Sequence, residues 1–403
     1  MDVRSELQSF IREPAARRDP RRLYDRLVRE APVLAADDTD RAYYISGYDE
    51  IVALAKNPAA VTDFSKVGVD IGQGLNYADL LTKMLPLRSG ADHTRLRRLA
   101  TTTFSARTTN AIRPLILDTV TELLKPHLSA GRLEVVTDLA RPLPVAVSCA
   151  LLDIPTADRP LVGRWAAQIT GSLWRDGAED PIDVAPVRDY IQQLCAERRA
   201  HPGEDLISQL VAAHTDGVVD DDELIAFVLM LFVNGLDTLT SGLSGAVWHA
   251  VNNPEVLASL AGQPRTAEAV FDECLRLAGP VRASSRVLLA DVTVGRQQLS
   301  AGTAVVLLYA AANRDPRYFP DPDRLLPGRD ARHLAFGFGA HYCLGAPISL
   351  VAGGAVLRLL AEYCPDARTP FTADTAPWNT SLPFAGLDEL PLSFSTTPSL
   401  IAV

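Results

Sequence analysis

Five cysteines are scattered along the chain, and Cys343 is the one whose surroundings could do chemistry. It stands in Phe336-Gly337-Phe338-Gly339-Ala340-His341-Tyr342-Cys343-Leu344-Gly345, directly ahead of an apolar, helix-forming stretch. Two glycines one residue apart open backbone conformations closed to other residues, so the loop can be tight enough to present a single sulfur. At the amino end of a helix, backbone N–H groups and the helix dipole favour thiolate over thiol, which suits a metal ligand or a nucleophile. Cys149, Cys195, Cys274 and Cys364 offer no CxxC spacing and no second sulfur to share a zinc. A lone thiolate in such a loop points to axial ligation of a larger prosthetic group such as haem, the alternative being a buried cysteine that only fills space.

Other groups able to do chemistry stand further back along the chain. Asn234-Gly235-Leu236-Asp237-Thr238 interrupts an apolar run, and Gly235 beside a side chain that can bond the backbone predicts a local kink. An acid and an alcohol inside an apolar helix are costly unless used; in a purely structural role Asp237 would cap or pair and Thr238 would bond the preceding turn. His93 and Arg97 are four apart and share a helix face, while Arg95 and Arg98 point to the opposite one. That outward pair reads either as a solvated basic surface or as a patch for an acidic electron donor. Glu273 and Arg276, three apart, also share a face, as an ordinary ion pair would.

The elements that must position these groups are mostly helices, expected at 49–56, 92–105, 110–128, 187–199, 221–251, 266–277 and 344–363 from apolar spacings of three and four. Strands are expected at 43–45, 287–289 and 292–294, and residues 315–328 as an ordered Pro-rich meander. No repeat, low-complexity tract or domain boundary interrupts the pattern.

Composition sets the outer limits. With 39 Lys+Arg against 49 Asp+Glu among 403 residues, the formal charge is −10, which argues against a nucleic-acid partner. A hydrophobic content of 47% fits a folded chain with a large core. The longest unbroken apolar run, 224–233, is about half of the roughly twenty residues a bilayer crossing needs, so no membrane span is expected. The charged amino terminus lacks the apolar segment of a secretory signal, so the expected compartment is the cytoplasm.

The run Phe-Gly-x-Gly-x-His-x-Cys-Leu-Gly resembles the haem-binding loop of the cytochrome P-450 family, with Cys343 at the thiolate position. The resemblance extends from about His93 to the end of the chain, with five motifs in the family's order. It implies a single domain over 1–403, mainly α with small β-sheets, similar to the soluble bacterial branch. By the same likeness the cofactor is haem b with Cys343 as axial ligand and His93, Arg97, Arg286 and His341 as propionate-binding residues. Glu273, Arg276 and the Arg324 of Pro322-Asp323-Arg324 resemble the family's structural triad, with Leu325 where Phe is usual. Asp237 and Thr238 match its oxygen-binding groove, Thr238 bonding dioxygen and Asp237 relaying protons from water. Asn234 and Leu239 depart from that pattern, and 346–351 lacks the usual arginine.

The implied activity is a monooxygenase that hydroxylates or epoxidises a moderately apolar small molecule with dioxygen, drawing two electrons from a ferredoxin and its reductase. Arg far outnumbers the four Lys, a bias that fits a GC-rich bacterial genome and a natural-product tailoring step. The likeness places substrate contacts in 61–87 (Leu85), at Met230, Val233 and Asn234, in 281–284 (Ala283, Ser284) and in 381–384 (Leu382). Met230 and Val233 read equally well as core, and Arg282 is expected to point to solvent more than to a substrate carboxylate. Two other readings stay open: an oxidative coupling or ring-forming haem enzyme, and a non-catalytic haem sensor or carrier.

Overall fold

The expected helices form, with ends set by local hydrogen bonding. The computed structural model describes residues 2–39, 41–69, 78–101, 103–174 and 183–395. Where one helix was expected over 92–105, the chain forms Gly90–Thr101, and Ser105 instead caps the next helix, Ala106–Leu128, its hydroxyl accepting from the Thr108 N–H at 3.3 Å. Asp220 starts Asp221–Asn234 with a reciprocal cap: its carboxylate accepts from the Glu223 N–H at 2.7 Å, and the Glu223 carboxylate accepts from the Asp220 N–H at 3.2 Å. That helix ends at Gly235 and resumes as Leu236–Val251, so the expected kink is a one-residue break.

Leu236–Val251, Pro264–Ala278 and Ala346–Tyr363 pack together, with Ala106–Leu128 against the last, to form the largest core cluster. The approach is close enough that a Cβ on Gly353 would lie 2.2 Å from the Phe271 ring, so only glycine fits there. A second cluster surrounds Asp221–Asn234 with Ala78–Lys83, Ala185–Ala200 and Leu206–Thr215. Asp221–Val251 and Ala346–Tyr363 are long and apolar enough to cross a membrane, but more than half of each is buried against other helices. They are the interior walls that the site is built on.

A five-stranded sheet runs Val33–Ala35, Ala42–Ile45, Ala304–Leu307, Ser284–Leu288, Ala60–Val61, antiparallel throughout except where Ala42–Ile45 pairs with Ala304–Leu307. Two further sheets of two strands pair Arg132–Glu134 with Pro391–Ser393 and Val292–Val294 with Gln297–Leu299. The fold is mainly helical with small sheets. Arg286 pairs with Val305 inside the larger sheet, on a strand that has a neighbouring strand on each side.

Candidate functional site

The Cys343 loop is fixed by its own backbone. Gly337 donates to Leu334 O at 2.9 Å, Tyr342 to Gly339 O at 3.1 Å and Cys343 to Phe336 O at 2.9 Å, which closes the turn around the sulfur. Gly337 and Gly339 both have φ +71°, and a Cβ on Gly339 would also lie 2.7 Å from Ala55 O. Both strain and overlap oppose any side chain at that position. Gly339→Ala is expected to destabilise the protein by about 1–3 kcal/mol, read as a lower thermal midpoint with reduced retention of the prosthetic group.

The helix Ala346–Tyr363 starts three residues after Cys343, with Pro347 in its first turn, where proline is tolerated. Burial raises the Cys343 thiol, while the backbone N–H groups of Gly345 and Ala346 and the charge of Arg97 favour its thiolate. Cys343 is nevertheless exposed, unlike the other four cysteines, so the residue is not packed into the core.

Basic groups from three separate elements meet beside it. His93 and Arg97 come from Gly90–Thr101, Arg286 from its central strand and His341 from the loop. The His93 and His341 rings are 4.3 Å apart, and Arg97 Nη2 donates to Tyr342 O at 2.7 Å. Arg286 Nη1 donates to Ser284 Oγ at 2.7 Å and Ser285 O at 2.8 Å. Burial, then Arg286, His93 and Arg97, push His341 down to about 3; burial, Arg97 and Arg286 lower His93 likewise. Burial also lowers Arg97 and Arg286. None of the four has a carboxylate partner among the described residues. A buried basic cluster of this kind calls for anionic groups from a ligand.

At the helix break, the Thr238 hydroxyl donates to Asn234 O at 2.7 Å. A Cβ on Gly235 would stand 3.2 Å from Leu231 O, so glycine keeps this stretch open. Asn234 is exposed and Asp237 half-buried, both beside the hydroxyl in sequence.

Comparison with known proteins gives the same direction. The family model described as Cytochrome P450 matches residues 265–362. The 6-deoxyerythronolide B hydroxylase of Saccharopolyspora erythraea is 31% identical over 92% of this chain and 95% of its own. The chain belongs to the cytochrome P-450 family. The cyclomarin C epoxidase CymV of Salinispora arenicola is 35% identical over 80% of this chain and 83% of its own. The crystal structure of CalO2 superimposes with a TM-score of 0.88 at 30% identity, covering 95% of this chain and 97% of that one. As a P-450, the protein is a haem-thiolate monooxygenase, with haem b as its prosthetic group and dioxygen and a small molecule as substrates. The exposed cysteine and the carboxylate-free basic cluster fit that group, whose two propionates are the anions the cluster lacks.

Within this P-450, the triad is not formed as the sequence suggested. Glu273 Oε1 accepts from Arg276 Nη2 and from Arg329 Nε, each at 2.8 Å, and from the Leu326 N–H at 3.1 Å. Arg324 contributes only its backbone carbonyl, while its exposed side chain lies 3.8 Å from Asp321. Arg329 replaces Arg324 because the chain reverses at Gly328, φ +83°, and carries the later arginine inward.

The outward basic patch is likewise reduced. Arg95 pairs with the buried Glu223 at 2.6 Å and donates to Val218 O at 2.7 Å, which ties two helices together and leaves Arg98 exposed. Arg282, expected at the surface, is 2% exposed.

The segments expected to face substrate divide by packing. Leu85, Met230 and Val233 are buried in the second core cluster. Ala283 and Leu382 are half-buried, and Arg282 N donates to Pro383 O at 2.8 Å, which joins 281–284 to 381–384. Ser284 Oγ is occupied by Arg286. Of 61–87, residues 70–77 lie outside the described residues.

Proposed function

We propose that Cys343 ligates the iron of haem b and that His93, Arg97, Arg286 and His341 hold its propionates. The observation that carries this reading is an exposed cysteine beside four basic groups that have no carboxylate partner among the described residues. When bound, haem supplies dioxygen activation, and thiolate donation favours O–O cleavage. Arg97 and Arg286 are desolvated, so their hydrogen bonds to carboxylates are charge-assisted and strong.

Thr238 holds the proton that the reaction consumes. Its hydroxyl now donates to Asn234 O, a bond that can be exchanged for one to a substrate oxygen by rotation about χ1. Asp237, one residue earlier, resupplies that proton from water as a general acid.

The substrate of this reading is a neutral, moderately apolar small molecule, oriented by hydrogen bonding at Asn234 and by apolar contact with Ala283 and Leu382. The polar surface of Asn234 supplies that bonding, while Leu85, Met230 and Val233 brace the pocket from the core. Similarity to a 6-deoxyerythronolide B hydroxylase and a cyclomarin C epoxidase supports natural-product tailoring. We assign the electrons to a ferredoxin and its reductase in the cytoplasm, and the whole of 1–403 to one domain.

Thr238→Ala tests the proton role. Electron consumption is expected to continue while turnover to product falls on the order of 10²-fold and peroxide accumulates, and Thr238→Ser should restore coupling. Product yield per electron pair is the measurement; full coupling in the alanine variant removes the hydroxyl from the relay.

A further inference from the structure

A second cleft opens away from Cys343, between the helix Arg21–Glu30, the ends of Leu236–Val251 and Pro264–Ala278, and the loop around Trp378. It shares no residue with the Cys343, His93, Arg97, Arg286 and His341 group. Its cavity of about 130 Å³ approaches the roughly 150 Å³ that accommodates a benzene molecule in a protein interior. Trp248 and Trp378, with ring centroids 6.5 Å apart, supply apolar walls.

Three residues that line this cleft carry a buried polar atom with no partner among the described residues: Arg282 Nη1, the Tyr24 hydroxyl and His249 Nε2. Arg282 uses Nη2 to donate to Asn379 O at 3.1 Å, so the guanidinium is anchored while its other amino group stays unmatched. Of the other cleft arginines, Arg21 is paired with Asp19 at 2.6 Å and Arg314 with Asp323, while Arg18 is exposed and solvated. Arg282 has no carboxylate partner among the described residues, and Arg17 adds a buried charge nearby, donating to Phe10 O at 2.8 Å and Thr380 O at 2.9 Å. A buried guanidinium without a counter-charge is expensive, and unpartnered neutral polar groups on residues of the same cleft add to the requirement for a polar ligand. Burial and the surrounding arginines push His249 down to about 3, so it is a neutral donor or acceptor at pH 7.

We propose that this cleft binds a small organic carboxylate, with Arg282 Nη1, the Tyr24 hydroxyl and His249 Nε2 as donors and Trp248 and Trp378 as apolar walls. The planar carboxylate matches the guanidinium better than a point anion does, and the indoles favour an aromatic or short aliphatic body. The site is separate from the haem pocket, so its occupancy leaves the iron's ligation unchanged.

The test is calorimetric titration of the haem-loaded, full-length enzyme with sodium benzoate, with haem absorption followed in parallel. One benzoate per chain and an unchanged haem spectrum are expected. Arg282→Gln should weaken binding by about tenfold or more, the scale of one charge-assisted hydrogen bond, and Tyr24→Phe by about threefold to tenfold. Tyr24→Phe removes only a hydroxyl that has no protein partner, so its thermal midpoint should match the parent and the comparison survives even if Arg282→Gln misfolds. No saturable heat with the parent enzyme, equal affinity in Tyr24→Phe, a haem shift on binding, or displacement of benzoate by stoichiometric phosphate would each overturn the proposal.

Discussion

Cys343→Ala is expected to leave a folded chain that has lost its thiolate-type haem absorption and all monooxygenase turnover. The loop does not depend on the sulfur for its shape, because its hydrogen bonds run from Gly337 to Leu334, Tyr342 to Gly339 and Cys343 N to Phe336 O. The residue is exposed, so loss of its side chain leaves no large cavity in the core and costs little in stability. The ligand set is what changes: no second cysteine stands at the site, since Cys149, Cys195, Cys274 and Cys364 are buried elsewhere. Without the thiolate, the electron donation that favours O–O cleavage is gone. Circular dichroism should match the parent while the reduced carbon monoxide complex loses its thiolate signature. A variant that keeps this signature would show that another group ligates the iron, and the roles of the basic cluster would have to be reassigned with it.

Which parts of this site could be read from sequence follows from the range of the forces that set them. The Cys343 loop was legible because its geometry is local: the φ of +71° at Gly337 and Gly339 is a demand that the sequence itself advertises. The pairing of His93 with Arg97 was legible through helical spacing, and the break at Gly235 through a glycine inside an apolar helix. Helix ends were displaced where a cap decided them, as at Ser105, because one hydroxyl competes with continued helix. What sequence spacing could not supply was the direction of side chains that reach across the fold. Arg95 looked solvent-facing on its own helix, yet its partner Glu223 is 128 residues away. Arg282 looked exposed in a short turn, yet the 379–383 loop closes over it. Irregular segments are the extreme case, since 315–328 has no period from which an inward face could be predicted.

Arg324 and Arg329 make that last point measurable. Arg276 is 1% exposed and gives two bonds to Glu273, at 2.8 Å each, and two more to Asn313 O at 2.9 Å and Pro322 O at 2.8 Å. Arg276→Leu would leave the Glu273 carboxylate short of a partner inside the core and strand the carbonyls of Asn313, Pro322 and Arg324. The expected loss is about 3–5 kcal/mol, a large part of the roughly 5–15 kcal/mol that holds a typical domain together. Arg329 bonds Glu273 and the carbonyls of Pro320, at 2.6 Å, and Asp321, at 2.9 Å, so Arg329→Leu should cost nearly as much. Arg324→Ala removes an exposed side chain whose ion pair with Asp321 is 3.8 Å long, and the carbonyl that Arg276 uses remains; within about 0.5 kcal/mol, nothing should change. Urea unfolding of the haem-loaded proteins, followed by loss of helical signal, separates the cases through their midpoints. A reversed order, with Arg324→Ala the damaging change, would mean that the meander folds the other way round and that Arg324 holds the triad after all. The expected order follows from burial: in the same few residues of chain, one guanidinium is shielded from water and compensated on every donor, and the other is solvated.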